Sequence, residues 1–255
     1  MVKWNKNSNL KCVVLCAGRG TRTRFRFTLK MIKNERPKFF SNLKKAPKPL
    51  FKVFDKPVLG WVVDHWKKYT DDFIFVVGYK KDKVIDYIKT LPINYTIVEQ
   101  KEPKGIAHAL FLAKDHLSDN FILVLGDCIC NGEFKIPENM NQGVAAWQTN
   151  NIDDIKRSFS IEHEDGKIHR VVEKPQNPPN KLCGLGFYFL NKKVLDYIDK
   201  TPPSSLRNEV EITDVLQNMI DSGEHLHMVE FGGQYLNITY PEDIEIAEKI
   251  LKDLS

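Results

Sequence analysis

Lys11-Cys12-Val13-Val14-Leu15-Cys16 runs straight into Ala17-Gly18-Arg19-Gly20-Thr21-Arg22, and this join of an apolar run to a glycine-bearing turn decides the fold. Val and Leu follow one another without polar alternation, so the run predicts a buried strand of a parallel sheet. The same grammar returns at 73–78 (FIFVVG) and 121–126 (FILVLG), each run closed by glycine. Between them, 58–69, 83–89 and 106–115 carry apolar residues at three-to-four spacing, the period of a helix packed on a sheet. Such alternation over the first 130 residues predicts a doubly wound α/β layer, with ligands at the carboxyl ends of the strands.

After residue 140 the pattern changes to alternating strands, 158–174 and 183–191, with an Asp165-Gly166 turn that predicts a hairpin. Helices are expected at 208–221 and 241–253, the second with Pro241 near its start. His225 and His227 alternate on an expected edge strand as half-exposed side chains, and Trp61 and Trp66 are expected to fill core or interface. With 255 residues, 42% hydrophobic and 28% charged, the chain has ordinary globular composition and length for one domain over 1–255. Within it, 11–130 would form a nucleotide-binding half and 131–255 a sugar-binding half.

No apolar run approaches the length of a membrane span and residues 1–10 are polar, so no membrane partner and a cytoplasmic location are expected. The five cysteines are odd in number and mostly flanked by Val, Leu or Ile, which predicts buried reduced thiols rather than a disulfide framework. The net charge of +5 is concentrated: Arg22, Arg24, Arg26, Lys30, Lys33, Arg36, Lys38, Lys44 and Lys45 stand against the single acid Glu35. Without an aromatic-stacking or helix-turn-helix signature, the charge does not predict nucleic-acid binding.

Several short motifs carry chemistry. Gly18, Gly20 and Arg22 follow a strand directly, where glycine lets backbone amides approach phosphate oxygens and the cation meets their charge. A merely structural turn would leave Arg22 unexplained. Lys48 lies between Pro47 and Pro49, a stiff setting that aims one ammonium at a fixed point. Gln100 and Gly105 precede a helix, and an amide can offer donor and acceptor to a pyrimidine edge; a plain polar loop reads the same way. Asp127 ends an apolar strand, where it could hold Mg²⁺ on a triphosphate or cap a helix. Glu173-Lys174-Pro175 puts another lysine on rigid ground, although a surface ion pair would look alike.

Taken in order, LCAGRGTR (15–22), PKPL (47–50), QKEPKGIAHA (100–109), Asp127 after glycine and VEKP (172–175) resemble the motifs of the sugar-phosphate nucleotidylyltransferases. CGLGFYF (183–189), EVEITD (209–214) and YLNITYPED (235–243) extend the likeness over nearly the whole chain. The resemblance implies an α/β, Rossmann-like, glycosyltransferase-A type three-layer sandwich, with a mixed, mostly parallel central sheet and a small β-hairpin extension. It implies transfer of a nucleotidyl group from UTP or dTTP to a sugar-1-phosphate, with Mg²⁺ as cofactor, release of pyrophosphate and a possible homo-oligomer. Arg22, Lys48 and Lys174 would be catalytic. Leu15, Ala17, Gly18, Gly20, Thr21, Gln100 and Gly105 would bind nucleotide, Gly126, Glu173 and Gly186 would line the sugar pocket, and Asp127 with Asn237 would hold the metal.

Three departures qualify that likeness. Asn237 stands where the family pattern usually has Asp, and a neutral carbonyl holds a metal less tightly unless phosphate oxygens complete the shell. Arg157-Ser158-Phe159-Ser160 replaces a Tyr-Gly pair near the sugar, which leaves the sugar open. The basic insertion 23–46 lengthens the connection from Arg22 to Lys48, as a solvated surface loop, a lid over the triphosphate or a contact for an acidic partner. Its Pro37-Lys38 competes with Lys48, but Pro49-Leu50 and Asp55-Lys56-Pro57-Val58 match the family spacing around Lys48. The alternative is a catalytically weak homologue that binds nucleotide-sugar and regulates or scaffolds a partner. With Ser255 soon after the last helix, no appended hexapeptide-repeat β-helix is expected.

Overall fold

The computed structural model describes residues 4, 6, 9–18, 46–205, 208–240 and 242–252. Twelve strands occur among them: β1 (Lys11–Cys16), β2 (Lys52–Val53), β3 (Lys56–Pro57), β4 (Asp72–Val77), β5 (Asn94–Glu99), β6 (Asn120–Leu125), β7 (Cys128–Lys135), β8 (Gly143–Gln148), β9 (Phe159–Glu164), β10 (Lys167–Glu173), β11 (Leu182–Asn191) and β12 (His227–Asn237). The helices are α1 (Val58–Trp66), α2 (Lys81–Ile88), α3 (Gly105–Leu112), α4 (Ile152–Arg157), α5 (Leu195–Ile198), α6 (Ile212–Asp221) and α7 (Asp243–Leu251). Ten strands join in one mixed sheet of order 5-4-1-6-11-8-12-10-9, with β7 on β12; β2 and β3 form a small separate ribbon.

Parallel pairing runs through β5, β4, β1 and β6, where the continuous apolar runs lie. Alternate residues of these strands face two different helical layers. Cys12, Val14 and Cys16 of β1 join Phe73, Phe75, Ile122 and Val124 beneath α1, α2 and α7. Val13 meets Ile74, Val76, Phe121 and Leu123 beneath α3, α5 and α6. A sheet buried on both faces between helices is the three-layer arrangement expected from uninterrupted Val, Ile and Leu.

The Asp165-Gly166 hairpin forms, with both turn residues at positive φ (48° and 80°). It curls onto the sheet, since β9 pairs with β11 and β10 touches β12. Helix α6 starts at Ile212 rather than 208, because Asn208 is left-handed (φ 55°) and ends any helical run there. His227 opens β12, which is an inner strand between β8 and β10 instead of an edge. All five cysteines are buried free thiols, and among the described residues no helix is long and apolar enough to cross a membrane.

Trp66 anchors the first layer, with Phe134 and Phe187 rings 5.3 and 5.1 Å away. Beside it, His65 is buried among the same rings and its Nε2 has no hydrogen-bond partner. Burial foremost, and the Lys68 charge after it, push its pKa from 6.5 down to about 4. Above the unfolded pKa the ring is neutral in both states. As pH falls from 6.5 to about 4 the unfolded chain takes up the proton first, so stability should drop by about 3 kcal/mol over that window. Urea midpoints at pH 7 and pH 4.5 should therefore lie closer together in His65→Phe than in the unmodified chain. An equal spread in both proteins would show that His65 contributes nothing to acid lability.

Candidate active site

The carboxyl ends of the parallel strands form one rim. Ala17 follows β1 and accepts from the Tyr79 amide at 3.3 Å. Gly78, at the end of β4, is so close that a Cβ there would stand 3.0 Å from Ala17 Cβ, the Ala17 oxygen and the Gln100 oxygen. The turn after β1 and the end of β5 are thus side by side, with Leu15 half-buried, Ala17 buried and Gly18 exposed. Gly20, Thr21 and Arg22 lie outside the described residues, as do residues 23–45 of the insertion 23–46.

Gln100 is 6% exposed, and its Nε2 donates to the Gly105 carbonyl at 3.1 Å. Gly105 opens α3 at φ +91°, and a Cβ there would meet Glu209 Cβ at 3.1 Å and the Val210 oxygen at 3.2 Å. A side chain at this position would be strained by backbone conformation and by contact together. The sequence therefore brings Gln100 and Gly105 together, with the 209–210 segment closing over the helix start.

Asp127 follows β6 after Gly126, whose amide donates to the Leu15 oxygen at 3.0 Å. Lys48 lies on a 3-10 turn, Lys48–Leu50, with Pro49 buried. Its Nζ sits 3.1 Å from Asp127 Oδ2, across 79 residues of chain, with side chains 17% and 25% exposed. Burial raises the thiol pKa of Cys16 and Cys128 on either side, and the Asp127 charge raises them further. Both cysteines stay protonated and inert beside the carboxylate.

Asn237 reaches Asp127 through the backbone. β12 pairs with β7 over eight residues, placing Asn237 opposite Cys128, and the Ile238 amide donates to the Asp127 oxygen at 2.9 Å. Gly186 is buried on β11; its amide donates to Tyr235 Oη at 3.3 Å, and that hydroxyl also contacts Cys128 Sγ at 3.0 Å. A Cβ on Gly186 would stand 2.8 Å from Leu125. Tyr235 thus braces the strands beneath the rim, a role that YLNITYPED does not disclose by itself.

Glu173 ends β10 and Lys174 follows it. Their side chains pair at 3.1 Å, and Glu173 Oε2 also accepts from Thr213 Oγ1 at 3.3 Å. The Lys174 amide donates to the Ser158 oxygen at 2.8 Å, and Ser158 Oγ donates to the Gly184 oxygen at 2.6 Å. Gly184 lies on β11, opposite Ala146 of β8 and Phe159 of β9. Lys48, Asp127 and Asn237 accordingly share the rim that holds Ala17 and Gln100, while the Ser158–Gly184 bond ties the Lys174 corner to β11, the strand beside β6. Burial first, and then the Glu173 charge, raises the Asp214 pKa.

Asp127 and Asn237 offer hard oxygen donors, one anionic and one neutral, on adjacent backbone. The Lys48 ammonium already rests on Asp127 Oδ2, as a cation would. Among the described residues no three His, Cys, Asp or Glu side chains group to hold a metal by themselves. Such a pair suits Mg²⁺, which keeps few protein ligands and takes its remaining oxygens from phosphate and water. His108, 2.9 Å from Gln100 Nε2, was not singled out by the sequence motifs.

Known proteins share this architecture. The chain is 31% identical to the UTP–glucose-1-phosphate uridylyltransferase AglF of Haloferax volcanii, across 96% of this chain and 97% of that protein. It is 29% identical to the bifunctional protein GlmU of Methanocaldococcus jannaschii over 96% of its own length, but spans only 55% of that relative. The fold superimposes on UDP-glucose pyrophosphorylase solved with UDP-glucose, with a TM-score of 0.77 at 21% identity, covering 96% of this chain and 99% of that one. Residues 43–244 match the family described as nucleotidyl transferase, and the chain belongs to that family.

Proposed function

We propose that the protein is a sugar-1-phosphate nucleotidylyltransferase that uses UTP or dTTP and a hexose-1-phosphate or N-acetylhexosamine-1-phosphate in the cytoplasm. The sugar-phosphate oxygen attacks the α-phosphorus in line; the new P–O bond forms as the α–β bridging bond breaks and pyrophosphate leaves. The observation that supports this reading is the meeting of Lys48 and Asp127 at 3.1 Å, with Asn237 on the strand paired beside them.

Within this reading 11–130 bind the nucleotide and 131–255 the sugar phosphate, as parts of one domain. Lys48 and Arg22 would neutralise the triphosphate and the departing pyrophosphate, and Lys174 would hold the attacking phosphate. Gly18, Gly20 and Thr21, flanked by Leu15 and Ala17, would wrap the phosphates with main-chain amides. Gln100 and Gly105 would meet the base, and Gly126, Glu173 and Gly186 the sugar. Asp127 and Asn237 would hold Mg²⁺, which when bound withdraws charge from the phosphate oxygens. No covalent intermediate is required; positioning and charge stabilisation supply the rate.

The test is pyrophosphate release from UTP, dTTP, CTP, ATP and GTP against a panel of sugar-1-phosphates, with Mg²⁺ and with EDTA. Turnover is expected with a pyrimidine triphosphate and to vanish under EDTA. A protein that binds nucleotide-sugar yet releases no pyrophosphate from any pair is instead a regulator or scaffold.

A further inference from the structure

Gln100 follows β5 directly, and its amide is fixed from two sides. Nε2 donates to the Gly105 carbonyl at 3.1 Å and lies 2.9 Å from His108 Nδ1. A carbonyl only accepts, so the Gly105 contact turns the amide nitrogen, not the amide oxygen, toward α3. His108, three residues further along the helix, then takes the second N–H on Nδ1. That contact requires a neutral ring protonated on Nε2. Partial burial, with the Lys104 ammonium second, lowers the His108 pKa against the opposing Glu102 charge and so favours the neutral form. With both N–H groups engaged, the amide has only Oε1 left to offer, and Oε1 only accepts.

We propose that His108 is a positioning residue that locks the Gln100 amide with its oxygen toward the nucleobase, so that the site selects uracil or thymine over cytosine. The inference rests on the reading of Gln100 as a base-contacting residue. Uracil and thymine carry an N–H at ring position 3, whereas cytosine carries a bare lone pair there. An amide that can only accept pairs with the first two and leaves two acceptors facing each other with the third. If the amide could turn over, its NH₂ would serve cytosine equally well and the preference would narrow. Discrimination thus comes from denying the wrong base a partner.

The experiment measures kcat and KM with UTP, dTTP and CTP at one saturating sugar phosphate, for the full chain and for His108→Leu and His108→Asn. Leucine keeps bulk without an acceptor; asparagine returns a carbonyl oxygen near the place of Nδ1. The unmodified enzyme is expected to favour UTP or dTTP over CTP in kcat/KM. His108→Leu should narrow that preference by about fivefold, through KM rather than kcat. His108→Asn should restore it to within about twofold, a rescue that a purely structural role would not give. Turnover with UTP combined with an unaltered preference in His108→Leu, or His108→Asn behaving like His108→Leu, would overturn this inference alone. Absence of pyrophosphate with every triphosphate in the unmodified enzyme would overturn the transfer reading and this inference with it.

Discussion

Lys174→Ala is expected to lower kcat by about a thousandfold while leaving the fold intact, because one preorganised charge contributes on that scale to a transition state. The lysine is held unusually firmly for a cation. Its backbone is left-handed (φ 45°), its amide is tied to Ser158 and its ammonium rests on Glu173, itself bonded to Thr213. Pro175 follows at once and stiffens the turn. A charge so fixed needs no reorganisation as the attacking phosphate closes on the α-phosphorus. With the side chain 26% exposed, removing it should change stability by no more than about 1 kcal/mol. Lys174→Arg keeps the charge but alters its shape, so an intermediate loss is expected. Steady-state kcat beside a thermal melt decides the matter: an Ala variant that melts normally and turns over within threefold of the parent refutes the role.

Asp127→Asn should reduce kcat/KM at fixed Mg²⁺ by about a hundredfold or more, and raise the half-saturating Mg²⁺ concentration. The substitution keeps the side chain's shape and one oxygen but deletes the charge. Two cations depend on that charge: the Lys48 ammonium at 3.1 Å, and the divalent ion proposed to sit between Asp127 and Asn237. Since the second ligand is already a neutral amide, Asp127 is the sole formal charge this pair contributes, which is why its loss should be felt strongly. Pyrophosphate release titrated with Mg²⁺ reads both effects. Identical Mg²⁺ curves for parent and variant would remove Asp127 from the metal site.

The nucleotide-binding half was legible in the sequence because its strands announce themselves. Cys12 to Val14, Phe73 to Val77 and Phe121 to Val124 are buried on both faces, so each belongs to an unbroken apolar run ending near a glycine. Short motifs single out Lys48, Asp127, Gln100, Gly105, Glu173 and Lys174, and the fold brings Lys48 onto Asp127 and Gln100 onto Gly105. Long-range partners left no such trace. Nothing local to Asn237 tells that it lies opposite Cys128, since register between strands a hundred residues apart depends on the whole sheet. His108 was overlooked because it falls within the apolar period of α3, where a half-buried histidine looks like packing. The start of α6 was misplaced because Asn208, at φ 55°, has a backbone state that an Asn permits but does not compel.

β12 carries a consequence for biosynthesis. Last of the described strands in chain order, it enters the interior of the sheet between β8 and β10 and also carries the whole of β7. Until residue 238 clears the ribosome, the pairing of β7 with β12 is incomplete and Asp127 lacks its bond to Ile238, however well the earlier strands have folded. A nascent chain can therefore assemble the parallel strands β1, β4, β5 and β6 long before Asp127 finds its β12 neighbour, and ribosome-bound intermediates ending before β12 will lack that corner of the sheet.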